Sequence, residues 1–286
     1  MGHGNFFTAS RWSAVPNWLF LFSILTILLP GITLAQSSSS TPPFNGIAHI
    51  ALRVHDLAAS TAFYEKLGFE QAFDLRKDDV PYESFIKIND TQFIELYPAT
   101  QHDPTIGFLH LCFEGADLEA IYQDYANRGL TPTPIRQADA GNLLFTMAGP
   151  GQPFGPQSIE YTQYMPDSLH SNDQGKHIGP DRIAEKIIAV ALAMQDTAAA
   201  RDFYINQLNF KPIAGDQMDL HMPGNSGQEV EIVSASLGSA ARITLQSESL
   251  SKAARHLHKE GVTTTKNGAT LTIADPDGNI IVLETR

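Results

Sequence analysis

Between residues 46 and 69 the spacing of apolar positions changes from two to nearly four. Ile47, Ala48, Ile50, Leu52 and Val54 form a β-prone run that places His49, Ala51 and Arg53 on one face of a strand. Asp56 then stands as an N-cap, Leu57, Phe63, Tyr64 and Leu67 recur at helical spacing, and Gly68 ends the helix. Three short strands follow, Glu70 to Leu75, Tyr82 to Ile88 and Gln92 to Tyr97, the last two joined by a turn at Asn89-Asp90.

The same order of elements returns three times. Ile106 to Phe113 opens a second unit, with a helix from Asp117 to Gly129, a Gly/Pro-rich loop at 149–156 and a last strand from Gln157 to Tyr164. After a polar linker from Met165 to about Asp181, Ile187 to Met194 opens a third, in which Asp196 with Phe203-Tyr204 repeats Asp56 with Phe63-Tyr64. The fourth starts at Arg242 to Leu245, carries a helix through Ala254 to Glu260, and ends on Asp275 to Glu284 with a turn at Asp277-Gly278. Every unit reads βαβββ. Two units make one curved mixed sheet and four make two such halves, an α+β architecture.

Composition narrows the function. A formal charge of −12 on 286 residues disfavours nucleic acid and anionic membranes as partners and leaves a small molecule. Cys112 is the only cysteine, so no internal disulfide forms and its expected role is a small buried side chain. Arg11 precedes a stretch from Trp18 to Leu29 that is apolar apart from Ser23 and Thr26, and Thr33-Leu34-Ala35 has a small-x-small form. Residues 1–35 therefore read as an export signal cleaved near Ala35, which leaves a periplasmic or extracellular protein without stable membrane insertion. An uncleaved anchor is the alternative. Residues 36–45 read as a flexible tether, 46–164 as an N-terminal half, 165–183 as a linker and 184–286 as a C-terminal half.

The His-Ile-Ala-Leu-Arg-Val run at 49–54, the Phe-Tyr-x-x-Leu-Gly-Phe helix end at 63–69 and the four βαβββ units resemble the vicinal oxygen chelate superfamily, which includes glyoxalase I. The resemblance extends from Gly46 to Thr285. It implies two glyoxalase-like half-barrel domains and one divalent metal where the first and last strands of two paired units converge. At those places stand His49 and His110 on first strands, and Glu95 and Glu160 on last strands. The histidines are 61 residues apart and the glutamates 65, as a repeat with small loop differences requires. Two imidazoles and two carboxylates suit Zn, Ni, Mn, Co or Fe(II). Taken singly, each glutamate also reads as a solvated residue of an alternating strand, and His110 as a buried histidine bonded to backbone.

The second half serves as an internal control. Ala189, Arg242 and Val282 stand where the first half has His49, His110 and Glu160, and only Glu231 matches Glu95. The metal site is then confined to residues 46–164, and the degenerate half is a structural partner or a cover. Units one and two must pair, within one chain or across a homodimer.

The resemblance implies an exported metal-dependent enzyme with glyoxalase or epimerase-like chemistry on vicinal oxygens, in which Glu160 or Glu95 moves the proton. Arg53 is a candidate for binding a substrate carboxylate, or else a rim salt bridge. Cys112, Thr162 and Tyr97 fall on the inner face by alternation, Tyr82 and Arg76 are weaker candidates, and His256 and His258 read as surface residues. Two rival readings stand beside this one: an Fe(II) ring-cleaving dioxygenase using His49, His110 and one glutamate, and a metal-independent binding protein of the bleomycin-resistance kind.

Overall fold

The strand that opens the first unit becomes the centre of the first sheet. In the computed structural model, which describes residues 44–235 and 240–285, β1 (Phe44–Val54) is followed by α1 (Leu57–Lys66), β2 (Glu70–Lys77), β3 (Val80–Asn89) and β4 (Gln92–Pro98). The second unit is β5 (Gly107–Gly115), α2 (Leu118–Asn127), β6 (Arg136–Gln137), β7 (Leu143–Gln152) and β8 (Gly155–Gln163). A one-turn helix, α3 (Leu169–Asn172), lies in the connection. The third unit is β9 (Lys186–Met194), α4 (Thr197–Asn206), β10 (Lys211–Ile213), β11 (Asp216–His221) and β12 (Glu229–Ser234). The fourth is β13 (Arg242–Gln246), α5 (Leu250–Lys259), β14 (Thr265–Asn267), β15 (Thr270–Ala274) and β16 (Ile280–Glu284).

Two eight-stranded sheets result, ordered β2-β3-β4-β1-β5-β8-β7-β6 and β10-β11-β12-β9-β13-β16-β15-β14. This is the α+β arrangement of four βαβββ units that the repeat predicts. Units one and two share a sheet within one chain, with β1 parallel to β4 and antiparallel to β5, and β5 parallel to β8. The four ten-residue helices start at Asp56, Asp117, Asp196 and Ser249, each of which accepts a hydrogen bond from the backbone N–H three residues on. Such caps contribute about 1 kcal/mol each. Among the described residues no helix is long and apolar enough to cross a membrane.

Two buried glutamines join the halves. The Gln92 side chain donates to the Ile47 and Ile187 carbonyls and accepts from the Ile187 N–H at 2.9 Å. Gln228 mirrors it, accepting from the Ile47 N–H at 2.8 Å and donating to the Ile187 carbonyl at 2.6 Å. They satisfy backbone groups of both opening strands that a continuous core would leave unpaired.

Three expectations about the chain between the elements change. β1 begins at Phe44, inside the stretch read as a tether, because its ring stacks on Phe113 and packs on Tyr161. The rest of that tether and the expected export signal lie outside the described residues. The Gly/Pro-rich stretch at 149–156 continues the β7–β8 hairpin, with Gly151 opposite Pro156 and Gln152 opposite Gly155. The expected linker is a strap fastened to the first sheet. Lys87, fully buried on β3, donates to the Asp173 carbonyl at 2.5 Å and its carboxylate at 2.8 Å, while Leu169 N–H donates to the Ala140 carbonyl at 2.8 Å.

The strap also passes over Gly68, which has φ +83°, and a Cβ there would lie 2.3 Å from the Asp181 carbonyl oxygen. Gly129 has nearly the same backbone, φ +82°, with open space around it. Gly129→Ala is therefore expected to cost about 1–2 kcal/mol of stability for the left-handed backbone alone. Gly68→Ala should cost at least about 1 kcal/mol more, because the strap must shift. Denaturant titration of both variants measures the difference, and equal losses would remove the strap contact from the account.

Candidate metal centre

Register along the four central strands decides which side chains meet. In β1, His49 lies opposite Phe93 of β4 and Cys112 of β5, while Ala51 lies opposite Glu95 and His110. Cys112 pairs in turn with Glu160 of β8. His49, Glu95, His110, Cys112 and Glu160 thus share the inner face, although they come from four strands.

Their polar atoms converge. His49 Nε2 is 3.1 Å from His110 Nε2 and 3.4 Å from Glu160 Oε1, and His110 Nε2 is 3.8 Å from Glu95 Oε2. Donors about 2.1 Å from a single ion stand roughly 3.0–3.4 Å apart in octahedral or tetrahedral sets, a range that the 3.1 and 3.4 Å separations meet and the 3.8 Å one slightly exceeds. His49 Nδ1 is buried and 3.0 Å from Glu95 Oε1, but not aligned for a hydrogen bond. No described lysine or arginine pairs with Glu95 or Glu160, and both carboxylates are buried. The side chains therefore fit a metal: His49, Glu95 and His110 form one compact donor group that would hold it, and Glu160 adjoins that group through His49 as the fourth candidate. Cys112 Sγ also lies within 4.8 Å of donor atoms of His49 and Glu160.

Burial and charge pull against each other here. Burial lowers the proton affinity of His49, but Cys112 and the Glu95 and Glu160 carboxylates beside it reverse this and hold the imidazole well above its usual range. Burial pushes the Cys112 thiol up. Burial likewise opposes ionisation of Glu160, yet the His49 hydrogen bond and the charges of His110 and His49 bring it down to about 2. His110 is lowered, chiefly by burial.

A cavity of about 140 Å³ opens onto this cluster and is lined also by Glu83, Tyr97, Asn142 and His170. Glu83 lies on β3 and shares the inner face with Phe85 and Lys87, which face Glu95 and Phe93 across the ladder. Its carboxyl is pushed up to about 8, first by burial and then by the charge of Glu95. The Tyr97 hydroxyl lies 2.6 Å from Glu83 and 3.2 Å from Glu95, and bridges the two. Alternation applied to Tyr82–Ile88 would have marked Glu83. Asn142 and His170 lie in a loop and in the strap, where no periodicity marks them.

Other expectations fall outside this cavity. Arg53 lies 3.7 Å from Asp103 and lines a separate cavity of about 280 Å³ with Phe108, Ala191 and Ala193, so it does not join the His/Glu set. Arg53 keeps to the His49 side of β1, whose pairing with β4 is unbroken, but four residues further along it reaches the second cavity. Arg76 is tied to Asp74 at 2.8 Å, and Tyr82 donates to Asp139 at 2.7 Å on the rim. His256 is half-buried and bonds the Lys66 carbonyl of the other half at 2.9 Å, where a surface role was expected. Among the described residues, those lining the His/Glu cavity all come from the first half and the strap. At its own equivalent place the guanidinium of Arg242 pairs with Glu231.

Comparison with known proteins fits this geometry. Residues 46–157 match the model of the Glyoxalase/Bleomycin resistance protein/Dioxygenase superfamily, a stretch that ends just before Glu160. The match covers the first half of the fold and runs into β8, and in that stretch the chain is similar to the vicinal oxygen chelate superfamily. Its fold is similar to that of a Mn(II)-bound glyoxalase from Novosphingobium aromaticivorans, with TM-score 0.62, 14% identity, and 84% of this chain and 82% of that one covered. It is also similar to the 2,3-dioxygenase LapB from Pseudomonas sp. KL28, with TM-score 0.57, 16% identity, and 86% and 93% covered. A variant of homoprotocatechuate 2,3-dioxygenase from B. fuscum gives TM-score 0.61, 14% identity, and 87% and 73% covered. At these identities the likeness is one of fold. No curated protein matches the chain.

Burial lowers His170 to about 4 from an ordinary value of 6.5, against the opposing charges of Glu95, Asp173 and Glu160 and with that of His49. The unfolded chain therefore takes up this proton first. The stability it represents, on the order of 3 kcal/mol, is fully present above pH 6.5 and is lost as pH falls through about 4. Unfolding free energies at pH 7, 5.5 and 4.5 should fall less steeply for His170→Phe than for wild type; parallel slopes would contradict the assignment.

Proposed function

We propose that this protein is an exported, divalent-metal-dependent enzyme that acts on a small substrate with two neighbouring oxygens, by isomerase or lyase chemistry of the glyoxalase or epimerase kind. The observation that carries the reading is the meeting of two imidazoles and two buried carboxylates, at 3.1, 3.4 and 3.8 Å, with no lysine or arginine among the described residues to balance them. An ion held by His49, Glu95, His110 and Glu160 would act as a Lewis acid toward paired oxygens and acidify the adjacent C–H. The Mn(II) of the Novosphingobium glyoxalase supports manganese within the set Zn, Ni, Mn, Co and Fe(II). Export rests on the N-terminal pattern at residues 1–35.

The chain's own groups then divide the work. Glu160, ionised at neutral pH, or Glu95 takes the proton from carbon and returns it to the neighbouring position. Glu83 keeps its own proton at neutral pH and, through Tyr97, fixes the orientation of Glu95. Leu75, Phe85 and Leu144 in the cavity wall limit water.

A second reading draws on the Tyr97 contact. His49, His110 and Glu95, whose donor atoms lie within 4.8 Å of one another, form a two-histidine, one-carboxylate set suited to Fe(II) and ring cleavage of a catechol, with Tyr97 orienting the carboxylate. The dioxygenase folds support it.

Metal analysis of the purified protein tests the proposal. About one tightly held ion per chain is expected, falling to below about a tenth in both His110→Ala and Glu160→Ala. Iron together with oxygen uptake on catechols would install the dioxygenase reading. A protein that takes up no metal on reconstitution, or variants that retain it, would leave the metal-independent binding protein in its place.

A further inference from the structure

Two buried polar groups in the cavity have no partner among the described residues, and their orientations are fixed. The Thr162 hydroxyl donates to the Leu143 carbonyl at 3.0 Å, so toward Asn142, at 2.6 Å, it can only accept. The amide nitrogen of Asn142 must face Thr162, and its Oδ1 faces away, unpartnered, on a residue only 4% exposed. His170 is 3% exposed, and neither ring nitrogen has a hydrogen-bond partner. Its ring stacks on Tyr164 at 4.5 Å and stands edge-on to Phe73, Phe85 and Phe93, which hold it in place without satisfying it.

The two groups belong to one place. Both line the cavity that holds His49, Glu95 and Glu160. The segments that carry them touch, through the hydrogen bond from Leu169 to Ala140 and the close pass of Gly141 on Ser168, where a Cβ would lie 3.1 Å from the Ser168 Cα. Leaving a buried polar group unsatisfied costs roughly 1–3 kcal/mol, and native structures do so rarely. A neutral imidazole always carries one N–H to donate, and a carboxamide oxygen only accepts. A hydroxyl takes from the first and gives to the second, and unlike a fixed water it can belong to a substrate.

We propose that Asn142 and His170 form a subsite for a substrate hydroxyl, distinct from the two oxygens assigned to the ion. It rests on the metal-centre reading. The substrate class is then a small polyhydroxylated acid or carbonyl compound with at least one hydroxyl on a carbon beyond the vicinal oxygen pair, and a substrate with only that pair leaves the subsite unfilled. His170, fastened through the Lys87–Asp173 contact, makes the strap a determinant of specificity.

Three acids serve as probes: lactate, which has one hydroxyl beside its carboxylate, and glycerate and threonate, which add one and two more. With Mn(II)-loaded protein, calorimetric titration should show glycerate or threonate binding at least ten-fold more tightly than lactate. In His170→Phe and Asn142→Leu the preference should fall to within two-fold while lactate affinity stays at the wild-type value, which also shows that the variants are folded. If Asn142→Leu does not fold, His170→Phe decides alone. Equal affinities for the three acids in wild type, as a subsite filled by a fixed water would give, overturn the proposal and leave the metal-centre reading intact. So does a preference that survives both variants. Absence of lactate binding to metal-loaded protein overturns both.

Discussion

Two carboxylates buried side by side need a positive charge, and that requirement governs the first half of the molecule. Glu95 and Glu160 come from the parallel partners of β1 and β5, and the inner face brings them to His49 and His110 with no arginine or lysine between them. In bulk water such a group would be solvated. In the interior the unbalanced charge costs several kcal/mol, and protonated imidazole or a bound cation are the available remedies. The raised His49 and the lowered Glu160 are two sides of that one demand.

The rest of the half holds this arrangement in register. Gln92 opens β4 three residues before Glu95 and braces the backbone of Ile47, two residues before His49. Its bonds to Ile187 tie the same point to the opening strand of the other half. A slip of one residue in β1 or β4 would turn the ligand side chain to the opposite face and break the brace as well. The C-terminal half thus supports the cluster from the back of the sheet, although none of the described residues lining the cavity belongs to it.

How far the sequence revealed this follows from where period two holds. His49, Glu95, His110 and Glu160 lie within strands whose alternation and repeat order can be read directly, and the structure brings all four together. Arg53 obeys the same alternation but lies four residues past His49, beside Asp103 and a separate cavity. Period two gives the face of a strand without saying which cavity along it a side chain reaches. Glu83 was legible but lay on a strand read only for its boundaries. His170 and Asn142 gave no periodic signal, because one sits on a strap outside the four repeats and the other in a loop before β7. Their placement depends on tertiary contacts: Lys87 with Asp173, and Asn142 with Thr162.

The two halves answer the same electrostatic question differently. In the C-terminal half Glu231 occupies the place of Glu95, and Arg242, in the place of His110, supplies the cation covalently. A guanidinium there is permanent, since it cannot lose its charge at ordinary pH. It neutralises the carboxylate, but it offers a substrate oxygen only hydrogen bonds. In the first half the corresponding position is His110, which carries no permanent charge, so the buried carboxylates rely on a protonated imidazole or, on the proposed reading, on an ion that would keep coordination positions for a substrate. Three exchanges on one sheet geometry, to Ala189, Arg242 and Val282, therefore separate the candidate ligand site from one that closes on itself. That contrast explains how the second half keeps the fold while giving up three of the four candidate ligands.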